Sequence, residues 1–143
     1  MSKYIVSACL CGINCKYNGG NNLNPTVLEL VKNGEAIPVC PEQLGGLPTP
    51  RIPSEIKDGK VINKEGIDVT KNFEDGACEV LKLCKELGIN KAILKSKSPS
   101  CGYGEVYDGN FNGTLVKGNG ILTNMLIDNG IEVISSDNLN DMI

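Results

Sequence analysis

Residues 92–102 read AILKSKSPSCG, a short apolar run that leads within a few residues to Cys101 in a loop of Ser, Pro and Gly. Two other short apolar runs, YIVSA and AIPV, lead directly into Cys9 and Cys40. Neighbouring parallel strands present their carboxyl ends at one edge of the sheet, where open α/β folds bind their ligands. The sequence therefore predicts a site at which these three cysteines converge.

Helix signals lie between these predicted strands. Asn24-Pro25 is typical of a cap followed by Pro at the first helical position, and Asn33-Gly34 is typical of a helix end. A longer helix is predicted from Val69 to Leu87, and a third begins at Asn119-Gly120 and precedes a fourth strand. The β-α-β-α-β-α-β order predicts one α/β domain over residues 1–143, with a mainly parallel four-stranded sheet covered by helices.

The connecting segments carry further predictions. Asp68 or Thr70 is expected to cap the long helix, and a loop rich in Gly and Asn is expected after the first strand. Four prolines and two adjacent glycines between 41 and 53 predict a stiff, irregular wall. Small hairpin excursions are predicted at 60–63 and at 104–113.

Composition and charge limit the class of protein. The chain has 143 residues, a net charge of -3, 41% hydrophobic residues and no His. The charge argues against broad nucleic-acid binding, and the apolar runs are too short to span a membrane. No signal-peptide pattern is found at the amino end, so a cytoplasmic location is expected. The absence of His excludes Cys-His nucleophile pairs, His-containing zinc sites and a His general base.

Seven cysteines without a secretion signal fit a disulfide framework poorly, which leaves metal binding, catalysis or burial. Cys78 and Cys84 fall inside the long predicted helix and are expected to have no role in a site; Cys84 lies in the apolar stripe of that helix, where free Cys packs as a small apolar residue. Cys11 and Cys15 have local spacings that a metal could use, and whether either joins the site is left open. Because there is no C-x2-C pair, neither a zinc ribbon nor a thioredoxin-like redox pair is supported.

Three thiolates from separate loops suit a zinc ion or a [4Fe-4S] cluster whose fourth iron stays open to substrate. The lack of a His ligand and the acid and hydroxyl groups beside the cysteines favour the cluster. Glu42 is a candidate general base, although an exposed loop carboxylate or a helix cap would give the same pattern. Ser98 and Ser100 could donate hydrogen bonds to a substrate, or simply form a turn around Pro99.

Aromatic and cationic residues near the cysteines are candidates for substrate binding. Tyr17 and Tyr103 could stack on a planar heterocycle. Arg51, the only arginine in the chain, is expected to hold an anion or a polarised oxygen of the substrate. The same role is open to three lysines, Lys16, Lys95 and Lys97.

Several motifs together resemble a known family. They are SACLxG at 7–12, KYNG at 16–19, VCPExxGGLxxPR at 39–51, GxDVTxxFxxGA at 66–77 and KSPSCG at 97–102. In this combination the chain is similar to the short form of the thiouracil desulfurase family, also called domain of unknown function 523. The resemblance implies a Rossmann-like, three-layer α/β domain that holds an oxygen-sensitive [4Fe-4S] cluster through three cysteines. By position these correspond to Cys9, Cys40 and Cys101.

The resemblance also implies a reaction. Members remove sulfur from a small thiolated pyrimidine such as 2-thiouracil by non-redox hydrolysis, in which water attacks the carbon that carries the sulfur. By position Glu42 would activate the water, and Ser98 would be a catalytic or positioning hydroxyl, with Ser100 as a second possibility. Tyr17 and Arg51 are then the residues expected to bind the substrate.

Two other functions fit the same residues. A non-catalytic metal-binding module would use the three cysteines together with Cys11 and Cys15, and it would not need Glu42. A metal-free redox or sulfur carrier would need a thiol of lowered pKa, and the absence of C-x2-C and of His argues against it. The sequence departs from the family pattern at Cys11 and Cys15, where apolar residues are more usual.

Overall fold

The structure, a computed structural model, describes residues 2–141. The strands are β1 (Tyr4–Ser7), β2 (Ala36–Val39), β3 (Ser54–Lys57), β4 (Lys60–Asn63), β5 (Lys91–Leu94), β6 (Glu105–Tyr107), β7 (Leu115–Lys117) and β8 (Glu132–Ser135). The helices are α1 (Pro25–Lys32), α2 (Pro41–Leu44), α3 (Thr70–Leu87) and α4 (Ile121–Asp128). Short 3-10 helices cover Ala8–Cys11 and Ser136–Asp141. Over residues 2–141, no helix combines the length and the apolar character that crossing a membrane requires.

The main sheet is parallel throughout and has the strand order β2-β1-β5-β8. This confirms the predicted α/β fold with a four-stranded parallel sheet. From β1 the chain passes outward to β2, then crosses to the other side of β1 to form β5 and β8, so its direction reverses beside β1. Doubly wound sheets bind ligands at such a reversal, outside the carboxyl ends of the strands. The ends of β1, β2 and β5 therefore border a crevice.

Helices cover both faces of this sheet and produce three layers. On one face Ile5, Leu94 and Val133 belong to a buried cluster with residues of α3 and α4. On the other face Val6 and Ile93 pack with α1. Successive side chains of a strand point to opposite faces, so strands that are covered on both sides are apolar at consecutive positions. This explains why the strands appear in the sequence as continuous apolar runs.

The predicted start of α1 is confirmed. The side chain of Asn24 accepts hydrogen bonds from the backbone N–H groups of Thr26 and Val27, at 3.0 and 3.3 Å. Pro25 occupies the first helical position, where its missing N–H has no helical partner to lose.

The start of α3 differs in detail from the prediction. Its N-cap residue is Val69, which has no capping side chain. Asp68 satisfies the helix start, because its carboxylate accepts a hydrogen bond from the Thr70 N–H at 2.9 Å. The Thr70 hydroxyl instead accepts from the Val61 N–H at 2.8 Å, which ties the helix to β4.

Two segments predicted as loop or irregular structure are helical. The chain enters a 3-10 helix directly after β1, and it enters α2 directly after β2. Helix α2 can begin directly after β2 because Cys40 is still extended, with φ of -121°, while Pro41 has the backbone angle that a first helical residue needs. The predicted hairpins are found as β3-β4 and β6-β7, the second ending at Lys117 and not at 113.

Helix α2 packs closely on α3 through two glycines. A Cβ atom at Gly76 would overlap the carbonyl oxygen of Pro41, and one at Gly45 would overlap the carbonyl oxygen of Asn72. We therefore expect Gly76→Ala to push α2 away from α3 and to lower the free energy of unfolding by about 1–3 kcal/mol. Chemical denaturation measures this change. Cys78→Ala, on the exposed side of α3, is the control and should change stability by less than about 0.5 kcal/mol. Equal stability of Gly76→Ala and wild type would contradict the close packing.

Candidate active site

A cavity of about 510 Å³ lies at the carboxyl edge of the parallel sheet. All eight residues predicted for cofactor, catalysis or substrate line it, namely Cys9, Cys40, Cys101, Glu42, Ser98, Ser100, Tyr17 and Arg51. Three candidate lysines line it as well, Lys16, Lys95 and Lys97. Cys15 is also part of the lining, whereas Cys11 and Tyr103 are not.

The three predicted cysteines come from three different strand ends. Cys9 lies in the 3-10 helix that follows β1, and Cys40 is the residue between β2 and α2. Cys101 lies in the loop after β5, where its backbone N–H donates to the Ser98 hydroxyl at 3.1 Å. The parallel sheet thus brings residues that are far apart in sequence to one cavity, as the apolar runs predicted.

Cys15 connects two of these thiols. It is 2% exposed, its thiol interacts with the thiols of Cys9 and Cys40, and its carbonyl accepts from the Cys40 thiol at 4.0 Å. Interaction with the Cys15 thiol is the main reason that the pKa of Cys9 falls to about 7 and the pKa of Cys40 to about 6. The pKa of Cys15 itself is raised, because the neighbouring sulfur atoms of Cys40 and Cys9 and its burial all favour the protonated thiol. The structure therefore places Cys15 in the site, which the sequence left open.

Further contacts favour the thiolates of Cys9 and Cys40. The Asn22 side chain donates to the Cys9 sulfur at 3.4 Å and adds to the lowering of its pKa. For Cys40 the backbone N–H of Gln43, in the first turn of α2, and the guanidinium of Arg51 act in the same direction. Burial opposes the ionised form of both cysteines but is outweighed.

Cys101 has a different environment. It is 4% exposed, and burial raises the pKa of its thiol to about 12. Hydrogen bonds with Ser7 and Ser100 oppose this shift without cancelling it. Burial therefore favours the protonated thiol, and a metal that bound Cys101 would have to displace its proton.

Glu42 is held in a defined position beside the cysteines. Its Oε1 atom accepts from Arg51 Nε at 3.0 Å, and its Oε2 atom accepts from the Ser100 hydroxyl at 3.0 Å. The side chains of Glu42 and Arg51 are 16% and 6% exposed. Glu42 is thus a largely buried, paired carboxylate in the first turn of α2 and not an exposed loop carboxylate.

The two serines form a directed chain of hydrogen bonds. The Ser98 hydroxyl oxygen accepts from the backbone N–H groups of Ser100 and Cys101, both at 3.1 Å. With both lone pairs used, Ser98 has its proton to donate to the Ser100 oxygen at 2.9 Å. Ser100 in turn donates to the Glu42 carboxylate, a charged acceptor that is closer than the Cys101 sulfur at 3.5 Å. The turn around Pro99 and the contact with Glu42 are therefore parts of one network.

The guanidinium of Arg51 donates several hydrogen bonds to neighbouring residues of the protein. Besides Glu42, its guanidinium donates to the carbonyl of Cys15 at 2.9 Å, to the carbonyl of Pro48 at 3.2 Å and to the hydroxyl of Thr49 at 3.0 Å. Through these contacts Arg51 holds Glu42 and the backbone at Cys15 in position. Its binding of substrate stays a prediction.

Tyr17 lies at the edge of the cavity. Tyr17 is 42% exposed, and the Lys16 ammonium lies 5.9 Å from the centre of its ring. The Tyr17 carbonyl accepts from the backbone N–H of Arg51 at 2.7 Å, which ties this loop to the segment after α2. Stacking of Tyr17 on a substrate stays a prediction.

Several lining residues were not found from the sequence. Ser7, the last residue of β1, accepts from the Lys95 N–H at 2.9 Å and contacts Cys101. Its place two residues before Cys9 was a usable signal. A second group comes from the two hairpins and is called the hairpin wall below; it comprises Ser54, Glu55, Lys64, Tyr107, Phe111 and Gly113. No local pattern indicates this group, because its approach depends on how the hairpins dock.

Doubly wound α/β proteins bind their ligands at this edge of the sheet, and a buried carboxylate that lines a cavity with several thiols marks a candidate active site there. The chain belongs to the 2-thiouracil desulfurase family, whose model matches residues 4–138. This confirms the family and the class of enzyme that the motifs indicated.

The chain is also similar to two individual proteins. The uncharacterized protein YbbK of Bacillus subtilis (strain 168) is 40% identical over 149 aligned positions, which cover 97% of this chain and 99% of YbbK. A solved structure of TudS, named as a [4Fe-4S]-dependent thiouracil desulfidase, superimposes with a TM-score of 0.93 and 42% identity. The match covers 99% of this chain and 95% of the TudS chain.

Proposed function

We propose that this protein removes sulfur from a thiolated pyrimidine such as 2-thiouracil, using a [4Fe-4S] cluster bound by Cys9, Cys40 and Cys101. The family and the likeness to TudS support the reaction and the cofactor. The observation that carries the proposal is that three cysteines from three strand ends line one cavity with a buried carboxylate.

The donor set fits such a cluster. Thiolates are the ligands that iron-sulfur clusters take, and a cluster with three protein ligands leaves one iron free for a substrate. Cys9, Cys40 and Cys101 are all free thiols, and the first two have lowered pKa values. Within residues 2–141 no three Cys, Asp or Glu side chains are arranged to hold a single metal ion, so the proposal rests on the shared cavity.

The proposed reaction is a hydrolysis without net electron transfer. When bound, the cluster supplies a Lewis-acidic iron and an acceptor for sulfur. Water forms a bond to the carbon that carries sulfur, the C–S bond breaks, and the sulfur leaves with the bonding electrons as hydrosulfide. Glu42 acts as the general base that takes the water proton. Arg51 holds Glu42 in place through Oε1, so that the carboxylate cannot rotate away.

The serine chain fixes the second oxygen of the Glu42 carboxylate, because its hydrogen bonds run from Ser98 through Ser100 to Oε2. Ser100, which is 1% exposed, connects the Glu42 carboxylate to Ser98 through hydrogen bonds of 3.0 and 2.9 Å. Ser98 lines the cavity and is the member of the chain that is less buried. We assign Ser98 and Ser100 the role of positioning Glu42: the Ser98 hydroxyl orients Ser100, and Ser100 holds Oε2 of the carboxylate. Glu42 then gives the proton that it took from water to the departing sulfur.

Anaerobic reconstitution with iron and sulfide, followed by an assay with 2-thiouracil, tests the proposal. We expect about four irons and four sulfides per chain, together with release of hydrosulfide and uracil in equal amounts. Equal amounts without added reductant would support the non-redox reaction. Bound zinc in place of a cluster, or a loaded protein that leaves 2-thiouracil intact, would contradict the proposal.

A further inference from the structure

The hairpin wall contains a loop whose conformation is held by side chains of the neighbouring hairpin. Residues 108–114 connect β6 to β7, and the first part of this loop lies against β3 of the other hairpin. The carboxylate oxygen Oε1 of Glu55 accepts from the backbone N–H groups of Gly109 and Phe111, at 3.0 and 3.1 Å. The Lys57 ammonium donates to the Asn110 side chain at 2.9 Å. The loop is therefore fastened to β3 at three consecutive residues.

The loop also approaches β3 more closely than a side chain would allow. A Cβ atom at Gly109 would lie 2.6 Å from Cβ of Lys57 and 2.8 Å from the carbonyl oxygen of Ile56. Only glycine fits there, and its φ of +94° is one that other residues rarely adopt. The contact between this loop and β3 is thus specific, because it depends on Gly109 in the loop and on Glu55 in β3.

Phe111 has an unusual backbone within this loop. Its φ is +55°, which is uncommon for a bulky residue and costs free energy. The hydrogen bond to Glu55 holds the N–H of this same residue, so Glu55 stabilises the strained conformation. Phe111 lines the cavity, as does Tyr107, but Tyr107 lies in an ordinary strand position opposite Leu115. A held, strained conformation that brings an aromatic residue to a cavity indicates a functional position.

We propose that Phe111 packs against the flat face of the heterocyclic substrate and that Glu55 is the residue that positions it. This inference rests on the proposed function and extends it, because it assigns recognition of the planar ring to the hairpin wall. An aromatic side chain suits this task, since stacking on a heterocycle requires a flat apolar surface and no particular hydrogen-bond pattern. The groups at the carboxyl edge of the parallel sheet would then distinguish substrates that carry the sulfur at different positions of the ring.

The test compares variants of the reconstituted holoenzyme in turnover of 2-thiouracil and in binding of uracil. Phe111→Ala is expected to raise both the KM for 2-thiouracil and the Kd for uracil about tenfold, the usual effect of losing one stacking partner. The kcat should stay within about twofold of wild type, because the cysteines and Glu42 are unchanged. Phe111→Tyr keeps the ring and should restore both constants.

The role of Glu55 has its own readout. Glu55→Ala should raise the same two constants, while Glu55→Gln should restore them, because the amide oxygen can accept both backbone N–H groups. In the double variant Glu55→Ala/Phe111→Ala, the Kd for uracil should be no higher than with Phe111→Ala alone, since the two residues act as one unit. Tyr103→Ala is the control, because Tyr103 is an exposed aromatic outside the cavity lining.

The outcomes separate the two proposals. Unchanged KM and Kd in Phe111→Ala, with full turnover by wild type, would overturn the role of Phe111 and leave the proposed function standing. Additive effects in the double variant would overturn the positioning role of Glu55. A wild-type holoenzyme that does not convert 2-thiouracil would contradict the proposed function, and the Kd values for uracil would then decide the role of Phe111 independently.

Discussion

Cys101→Ser is expected to abolish desulfurisation and to lower the iron and sulfide content after reconstitution from about four of each to near zero. A serine hydroxyl is a hard oxygen ligand and replaces a thiolate poorly on the iron of such a cluster. The chain should stay folded, because serine differs from cysteine by one atom and can keep the hydrogen bonds with Ser7 and Ser100. Iron and sulfide analysis, the visible absorbance of the loaded protein and the 2-thiouracil assay measure the three effects.

Cys78→Ser is the matched control for this experiment. Cys78 is exposed on α3 and lies outside the cavity lining, so the same chemical change there should leave iron content and activity within about twofold of wild type. Circular dichroism of both variants without iron checks that neither has unfolded. Full iron content and full activity in Cys101→Ser would remove this cysteine from the proposed ligand set.

The convergence of Cys9, Cys40 and Cys101 could be predicted because it depends on local signals and one general rule. Each residue follows a short apolar run, and parallel strands end at the same edge of a sheet. The alternation of strands and helices then limits the connections to right-handed crossovers, which brings the three ends together. Contacts between neighbouring side chains were not needed for this prediction.

The finer arrangement of the site could not be predicted in the same way. The carboxylate of Glu42 is held by Arg51, nine residues away, and by Ser100, 58 residues away. Both contacts depend on α2, whose close packing on α3 requires Gly76, and α2 itself was predicted as irregular structure. The loop with Phe111 depends on the docking of one hairpin on the other. Such contacts arise from tertiary packing, and no spacing in the sequence encodes them.

The position of Cys15 explains why a substitution of Glu42, and not of a cysteine, is needed to distinguish an enzyme from a binding module. Its thiol contacts Cys9 and Cys40, so a metal-binding module with additional thiols uses the same cavity. Both functions depend on the cysteines, and loss of a cysteine impairs both. Only the enzyme needs a general base, and Glu42 lines the cavity but is not one of the proposed ligands of the cluster. A substitution that removes its basicity and little else therefore separates the two functions.

Glu42→Gln is expected to lower kcat for 2-thiouracil by about 10²- to 10⁴-fold, the usual contribution of a general base, while the iron and sulfide content stays as in wild type. The amide oxygen can still accept from Arg51 or Ser100, so the shape of the site is kept while the group that takes the water proton is lost. The KM should change much less than kcat, because proton transfer takes place in the transition state. Steady-state kinetics of the reconstituted protein, with iron analysis of the same sample, measures both parts.

Glu79→Gln is the control for Glu42→Gln, since Glu79 is an exposed carboxylate on α3 and its loss should leave kcat unchanged. The thermal midpoint of Glu42→Gln must also be measured, because the buried Arg51 guanidinium loses its counter-charge and stability is expected to fall. A folded, fully loaded Glu42→Gln with wild-type kcat would exclude Glu42 as the base. If the wild type turns over 2-thiouracil and a folded, fully loaded Glu42→Gln does not, the binding module is excluded, because such a module has no turnover that Glu42 could support.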